Sequence, residues 1–141
     1  MDILLVEDNP DHAELTRQAL DEGQLANRVH WVKDGREALD YLFRVGKYAS
    51  ASHPGLVLLD INLPKVSGLD VLKAIKEDKE LRTIPVIMLT TSDREEEVVK
   101  SYRSGVNSFI TKPIKFQEFS DKVKALKLYW LLTNRSPKTD E

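Results

Sequence analysis

The sequence predicts an α/β fold in which a doubly wound parallel sheet is covered by helices on both faces. Five short apolar runs alternate along the chain with segments that have helical spacing and recognisable start signals. The first, third and fourth runs are apolar at nearly every position, which is typical of strands buried on both faces. Strict alternation of strand and helix implies right-handed crossovers and therefore a parallel sheet.

The five predicted strands follow from the apolar runs, which are rich in Val, Ile and Leu. Each run has the length of one strand in a globular sheet. In chain order, the predicted strands are Ile3 to Val6, Val29 to Val32, Leu56 to Leu59, Val86 to Leu89 and Ser108 to Ile110.

The first three helices are predicted from residues that cap helix N-termini. Asn9 followed by Pro10 is typical of an N-cap and a first-turn proline. Asp34 and Glu37 form a candidate capping box, which predicts the start of the second helix. Ser67 can cap the third helix in the same way.

The fourth and fifth helices are predicted from a charge pattern and an apolar stripe. Asp93 pairs with Glu96 as a further candidate capping box, and the charged run from Asp93 to Glu97 is interpreted as a solvated helix start. The segment from Arg44 to Gly55 is a longer connection, expected to hold extra helical turns or a surface loop. The stripe on the fifth helix comprises Phe116, Phe119, Val123 and Leu126.

Length and composition predict one folded domain. The chain has 141 residues, of which 41% are hydrophobic and 31% charged, so a normal core fits under a solvated surface. The domain is expected over residues 1–132, with an extended C-terminal helix, and the polar tail 133–141 is expected to be frayed. Cysteine is absent, which excludes disulfides, thiolate metal sites and cysteine nucleophiles.

Charge and hydropathy exclude two classes of partner. The formal net charge of −2 gives no overall field for polyanions, and no local basic patch is evident, so no nucleic-acid partner is expected. No apolar run approaches the roughly 20 residues that cross a bilayer. The N-terminal residues do not have the pattern of a signal peptide. A cytoplasmic protein without membrane contact is therefore expected.

Side chains that carry chemistry stand at the ends of four predicted strands. Glu7 and Asp8 follow the first strand, Asp60 follows the third, Thr90 closes the fourth, and Lys112 follows the fifth. In open parallel sheets, ligands bind outside the carboxyl ends of the strands, where these residues should converge. Three neighbouring carboxylates repel one another unless a cation lies between them, and Mg²⁺ prefers such oxygen ligands.

This set of residues predicts phosphoryl transfer to Asp60. An aspartate can form an acyl phosphate when the charge on the phosphoryl oxygens is neutralised. Mg²⁺ would supply one positive centre, with Asp8 and Asp60 as direct ligands and Glu7 reaching the ion directly or through water. Lys112 would supply the second positive charge, and the Thr90 hydroxyl would donate a hydrogen bond to a phosphoryl oxygen.

With their flanking residues, these positions closely resemble the response-regulator receiver family from about residue 3 to residue 126. The resemblance implies a flavodoxin-like receiver fold with strand order 2-1-3-4-5. The motifs are Glu7-Asp8 after Leu4-Leu5-Val6, then Leu58-Leu59-Asp60-Ile61-Asn62-Leu63-Pro64 followed by Gly68, then Thr90-Thr91 after Met88-Leu89, and Phe109-Ile110-Thr111-Lys112-Pro113.

The resemblance also implies roles for individual residues. Asp60 matches the residue that a sensor histidine kinase phosphorylates, and Asn62 matches the one that gives the metal its backbone carbonyl. The Lys112-Pro113 peptide matches a bond that is usually cis. Thr90 and Phe109 match the switch pair, in which the hydroxyl moves towards the phosphate and the aromatic ring turns inward.

Two positions depart from the family pattern. The acidic pair is often two aspartates, and Glu7 lengthens the first of them, which leaves its metal contact in question. Phe109 replaces the more frequent tyrosine, so no phenol is available to a partner. The three histidines, His12, His30 and His53, have no metal spacing and are interpreted as ordinary surface or half-buried residues.

The expected output is contact with other proteins. The resemblance implies a stand-alone regulator that is not an enzyme and that acts through helix four, strand five and helix five. The apolar C-terminal extension, with Tyr129, Trp130 and Leu131, is expected either to form an interface, including one in a homodimer, or to pack against the core. With the longer Arg44 to Gly55 connection, this ending is similar to small regulators that partner phytochrome-type sensor kinases.

Three other functions remain open from the sequence. A phosphohydrolase of the haloacid dehalogenase type would also use an aspartyl phosphate, but it needs a second aspartate where this chain has Asn62. A nucleotide- or flavin-binding module would need a phosphate-cradling glycine loop, and the six glycines are scattered. A receiver-like scaffold that never takes phosphate would not need the full acidic, hydroxyl and lysine set.

Overall fold

The computed structural model describes residues 2–22, 28–101 and 108–125, which form a five-stranded sheet with five α-helices. The strand order is β2-β1-β3-β4-β5, and each neighbouring pair is parallel. The predicted fold class and strand order are thus confirmed. The strands are β1 (Asp2–Val6), β2 (Arg28–Val32), β3 (Leu56–Asp60), β4 (Val86–Thr90) and β5 (Ser108–Thr111).

The helices alternate with these strands as the sequence predicts. Two short 3₁₀ turns, Gly46–Tyr48 and Leu81–Thr83, lie in the connections before β3 and β4. The α-helices are α1 (Pro10–Glu22), α2 (Gly35–Leu42), α3 (Gly68–Glu77), α4 (Asp93–Ser101) and α5 (Phe116–Ala125).

Two apolar cores lie on the two faces of the sheet. Successive residues of a strand point to opposite faces, so Leu4 and Val6 belong to one core while Ile3 and Leu5 belong to the other. Helices α2, α3 and α4 contribute buried residues to the first core, and α1 and α5 contribute to the second. All four of these β1 residues are fully buried, as the continuous apolar run predicts.

Helices α1 and α3 begin at the predicted capping residues. The Asn9 side-chain oxygen accepts hydrogen bonds from the backbone N–H groups of Asp11, at 2.8 Å, and His12, at 3.1 Å. The Ser67 hydroxyl accepts from the backbone N–H of Asp70 at 3.2 Å. These bonds satisfy N–H groups that have no partner within the helix.

The capping box at α2 is only half formed. Asp34 accepts from the backbone N–H of Glu37 at 2.7 Å, as predicted. The Glu37 carboxylate accepts from the N–H of Lys33 at 3.1 Å instead of from Asp34, and it also accepts from the hydroxyl of Tyr48. Glu37 therefore joins the start of α2 to the 3₁₀ turn in the long connection.

The predicted start of α4 was wrong by one residue. The capping side chain is Ser92, whose hydroxyl accepts from the N–H of Glu95 at 3.2 Å, and Asp93 is the first helical residue. Ser92 and Glu95 have the spacing of a capping box. In the sequence, Asp93 competes with Ser92 as the cap, because aspartate is also a good capping residue. The charged run is the start of a helix and is exposed at Asp93, Arg94 and Glu97, whereas Glu95 and Glu96 are half-buried.

The long connection between α2 and β3 is ordered around an aromatic group. The ring of Tyr48 lies 5.8 Å from that of His30 and 5.1 Å from that of Tyr41, between ring centroids. This connection holds one 3₁₀ turn, as predicted. Within the described residues, no helix combines the length and apolar character needed to span a membrane.

Several predicted features fall outside the described residues. These are the extension of the last helix past residue 125, with Leu126 of the apolar stripe, the interface candidates Tyr129, Trp130 and Leu131, and the tail 133–141.

Candidate functional site

The predicted site residues meet at the carboxyl ends of the strands. Asp60 and Thr90 are the last residues of β3 and β4, so the strand ladder fixes their backbones. The backbone N–H of Lys112, just after β5, donates to the carbonyl of Thr90 at 2.7 Å. Glu7 and Asp8 follow β1 directly, and β1 neighbours β3.

The ammonium of Lys112 joins two buried carboxylates. Its Nζ lies 2.9 Å from Oε1 of Glu7 and 2.9 Å from Oδ2 of Asp60, and all three side chains are less than one tenth exposed. Burial alone would lower the pKa of Lys112, but its hydrogen bonds to Glu7 and Asp60 and their negative charges outweigh burial and raise it. Lys112 is therefore held as a cation inside the pocket.

The carboxyl group of Glu7 lies in a buried position, where a negative charge is unfavourable. Its side chain is fully buried, and this burial raises the pKa of Glu7 to about 7. The charge of Asp60 also raises this pKa, while the hydrogen bonds from Lys112 and from the backbone N–H of Asn9 oppose the shift. The pocket therefore carries more acidic groups than one ammonium neutralises.

Three carboxylates form a cluster with the geometry of a cation site. One oxygen from each of Glu7, Asp8 and Asp60 lies within 4.8 Å of the others. Glu7 and Asp60 are buried, whereas Asp8 is exposed and opens the cluster to solvent. Hard divalent cations bind to such oxygen sets and commonly keep several waters in their coordination shell.

Asp60 is fixed by two different donors. The backbone N–H of Asn62 donates to Oδ1 at 3.0 Å, and Lys112 donates to Oδ2. The side-chain amide of Asn62 donates to the carboxylate of Glu95 on α4, away from Asp60. The orientation of the Asp60 carboxylate is therefore set by the loop after β3 and by the residue after β5.

The Thr90 hydroxyl is buried and has no hydrogen-bond partner among the residues that the structure describes. A buried hydroxyl without a partner costs about 1–3 kcal/mol relative to a bonded one. An unsatisfied polar atom of this kind calls for an explanation, such as a ligand that would accept its hydrogen bond.

The remaining predicted positions lie on β5 and just after it. The peptide bond between Lys112 and Pro113 is cis. Phe109 is half-buried, and the Nζ of Lys122 on α5 lies 5.3 Å from the centroid of its ring. Phe109 therefore occupies an intermediate position between the core and the surface.

Two residues of the site were missed by sequence reasoning. The Nδ1 of His12 lies 3.1 Å from Nζ of Lys112, although the sequence interpretation treated His12 as an ordinary histidine. Glu95 accepts from the backbone N–H and the hydroxyl of Thr91, and from the Asn62 side chain. The capping-box spacing of Ser92 and Glu95 could have indicated Glu95. No local pattern in the sequence indicated His12.

The strand order and the acidic pocket at the carboxyl ends of the strands define a receiver-type domain. The model of the response regulator receiver domain family matches residues 3–124, so the chain belongs to this family and to two-component signalling. The resemblance stated from the motifs is thus confirmed.

Similar proteins include regulators from archaea and bacteria. The chain is 45% identical to the probable methanogenesis regulatory protein FilR2 of Methanothrix harundinacea, over 96% of this chain and 86% of that one. It is 50% identical to the bacteriophytochrome response regulator AtBRR, with a TM-score of 0.86 and coverage of 92% and 94%. The Mn²⁺-bound form of response regulator Rcp1 is 36% identical, with a TM-score of 0.75 and coverage of 96% and 98%.

Proposed function

We propose that this protein accepts a phosphoryl group from a sensor histidine kinase on Asp60, in a reaction that needs Mg²⁺. The observation that carries the proposal is the Lys112 ammonium, 2.9 Å from both Glu7 and Asp60 inside a buried acidic pocket. A fixed cation beside a buried aspartate is what an incoming phosphoryl group requires, because its oxygens are negatively charged.

The metal would be held by Glu7, Asp8, Asp60 and the backbone carbonyl of Asn62. The acidic cluster fits a hard divalent cation, because its carboxylate oxygens lie within 4.8 Å of one another. When bound, Mg²⁺ supplies positive charge to the carboxylates and to the transferring phosphoryl oxygens. Response regulator Rcp1 has a Mn²⁺-bound form, and Mn²⁺ carries the same charge as Mg²⁺, which supports a divalent site here.

The residues of the chain perform the transfer by position and charge. An Asp60 carboxylate oxygen forms a bond to phosphorus as the phosphorus–nitrogen bond of the kinase phosphohistidine breaks, and the imidazole nitrogen retains the electron pair. Lys112 pairs with a phosphoryl oxygen, and the Thr90 hydroxyl, which has no partner among the described residues, donates to another. The product is an acyl phosphate on Asp60.

The phosphorylated protein is proposed to act by contacting other proteins, and not by converting a substrate. Thr90 moving towards the phosphoryl group would leave space into which Phe109 turns, which changes the surface formed by α4, β5 and α5. A homodimer through that surface, or through the C-terminal segment with Tyr129, Trp130 and Leu131, is the proposed consequence.

The proposed kinase is of the phytochrome type. The support is the 50% identity to AtBRR, which is a bacteriophytochrome response regulator, over 92% of this chain. Phosphotransfer from a phytochrome-type kinase at a higher rate than from an unrelated sensor kinase is the expected result. Equal rates from both kinases would contradict this part of the proposal.

The central experiment measures the mass of the protein after incubation with acetyl phosphate and Mg²⁺. The wild-type protein should gain one phosphoryl group, and Asp60→Asn should gain none. Asp21→Asn, which changes an exposed aspartate on α1, is the matched control and should behave as the wild type. A gain that persists in Asp60→Asn, or that is unchanged when Mg²⁺ is removed by a chelator, would refute the proposal.

A further inference from the structure

We propose that Glu95 is a positioning residue that holds together the loop that follows Asp60 and the loop that follows Thr90. The inference rests on the proposed function, since its consequence is measured on a phosphoryl group bound at Asp60. The loops are residues 61–67, between β3 and α3, and residues 91–92, between β4 and α4. Glu95 lies in the first turn of α4 and reaches both of them.

The contacts of Glu95 use both carboxylate oxygens. Oε1 accepts from the backbone N–H of Thr91 at 2.7 Å and from its hydroxyl at 3.1 Å. Oε2 accepts from the side-chain amide of Asn62, which is 33 residues away in the chain. One side chain therefore fixes the backbone next to Thr90 and the side chain two residues after Asp60.

The neighbouring carboxylate of Glu96 anchors the same helix turn to the last strand. It accepts from the hydroxyl of Thr111, the last residue of β5. The first turn of α4 is thus tied to the ends of β3, β4 and β5, the strands that present Asp60, Thr90 and Lys112. Of the two carboxylates, Glu95 is the one that touches the loops beside the acceptor.

These contacts matter because of the Thr90 hydroxyl, which is buried and has no partner within residues 2–22, 28–101 and 108–125. A buried donor without an acceptor is costly, and the strand ladder fixes the backbone only to the end of β4, so the loop that follows needs further bonds to hold it. Glu95 supplies those bonds one residue further along, at Thr91. The loop beside the donor is thereby ordered before the phosphoryl group arrives, so less ordering has to occur on binding.

A positioning role of Glu95 and a purely electrostatic role predict opposite effects on the binding of a phosphoryl group when Glu95 is replaced. The two roles can therefore be distinguished. A carboxylate near the pocket repels an anionic phosphoryl group, so removing its charge alone would strengthen binding of that group. Removing the contacts would weaken binding, because the two loops would have to be ordered on binding. Glu95→Gln removes the charge and keeps an oxygen for Thr91, and its amide N–H can donate to the carboxamide oxygen of Asn62 once that amide turns over. Glu95→Ala removes the charge and all of these contacts.

The test measures the affinity for beryllofluoride, a mimic of the phosphoryl group on aspartate, in the presence of Mg²⁺. Glu95→Ala should bind it at least about threefold more weakly than the wild type, the effect of losing one ordinary hydrogen bond. Glu95→Gln should bind it as tightly as the wild type or more tightly. Glu97→Ala, which removes an exposed charge from the same helix, is the matched control and should not weaken binding.

A double-mutant cycle with Asn62→Ala measures the contact itself. If Glu95 acts through Asn62, the two substitutions together should cost less affinity than the sum of their separate costs. Additive costs in this cycle, or binding by Glu95→Ala that equals or exceeds that of Glu95→Gln, would overturn the proposal. Melting temperatures of all variants show whether a weak binder is simply unfolded.

A second readout separates failure of this inference from failure of the proposed function. If the wild-type protein takes up no beryllofluoride with Mg²⁺, the phosphoacceptor function fails. The role of Glu95 is then judged on NMR spectra without any ligand. Glu95→Ala should shift the signals of the Thr91 backbone amide and the Asn62 side-chain amide, and Glu97→Ala should shift neither. Unshifted signals in Glu95→Ala would refute the role of Glu95 on their own.

Discussion

Gly68, the first residue of α3, lies directly against the backbone of Asp60. A Cβ atom at position 68 would lie 2.2 Å from the carbonyl oxygen of Asp60 and 2.7 Å from Cα of Ile61. The backbone N–H of Gly68 also donates to the carbonyl of Ile61 at 3.1 Å. The start of α3 is thus packed onto the segment that carries the acceptor aspartate, at a distance that only glycine allows.

Gly68→Ala should therefore destabilise the protein by about 1–3 kcal/mol, the usual cost of overpacking. The clash is with backbone atoms, which cannot rotate away, so we also expect weaker divalent-cation binding at the displaced Asp60. Urea unfolding and cation titration test both points. Lys73→Ala on the exposed side of α3 is the control, expected within about 0.5 kcal/mol of the wild type. Wild-type stability in Gly68→Ala would contradict the packing described here.

Thr90→Val should increase stability while it impairs phosphoryl uptake. The substitution replaces a buried hydroxyl, which has no partner in the part of the chain that the structure describes, by a methyl group of similar size, so about 1 kcal/mol of unfolding free energy should be gained. The donor for the phosphoryl oxygen is lost at the same time. Thr111→Val is the comparison, because the Thr111 hydroxyl donates to Glu96 and its removal should lower stability. A less stable Thr90→Val protein would argue against an unsatisfied hydroxyl.

Lys112→Met should destabilise the protein by about 3 kcal/mol, because two buried carboxylates lose their shared counter-charge. Mg²⁺ should restore part of this loss, since a ligand that binds only the folded state stabilises it. Thermal unfolding with and without Mg²⁺ measures both effects. Lys115→Met, at an exposed position nearby, should change little. A loss that Mg²⁺ does not reduce would contradict a cation site beside Lys112.

Tyr48→Phe should make stability less dependent on pH in the acidic range. Burial tends to raise the pKa of Glu37, but hydrogen bonds from the Tyr48 hydroxyl and the Lys33 N–H and the charge of Lys47 lower it below its ordinary value of 4.5. The ionised Glu37 carboxylate therefore stabilises the fold at pH values above 4.5. This contribution is lost as the pH falls through the lower pKa that Glu37 has in the folded state.

In Tyr48→Phe, the pKa of Glu37 should rise and stability at pH 7 should fall by about 1 kcal/mol. The difference from the wild type should shrink at a low pH, below the folded-state pKa of Glu37 that the titration gives, where the carboxyl group is protonated in both proteins. NMR titration of the Glu37 carboxyl group and urea unfolding at the two pH values test this. An unchanged Glu37 titration in the variant would exclude the hydrogen bond as the cause of the shift.

Much of the fold could be predicted because its signals are local. The apolar runs at Ile3 to Val6 and Leu56 to Leu59 predicted buried strands, and Asn9 and Ser67 predicted helix starts, since capping involves only neighbouring residues. The error at α4 also has a local cause. Asp93 and Ser92 are both good capping residues, and only the backbone conformation decides which of them precedes the helix.

Local patterns were enough to predict the strands and their alternation with helices, because periodicity and composition act over a few residues. They also placed five side chains at strand ends: Glu7, Asp8, Asp60, Thr90 and Lys112. The folded arrangement was needed to show that Lys112 bonds Glu7, 105 residues away, and that His12 and Glu95 join the site. It also decided that the Thr90 hydroxyl has no partner among the described residues. These outcomes depend on side-chain orientation and burial across the whole sheet, which no local pattern encodes.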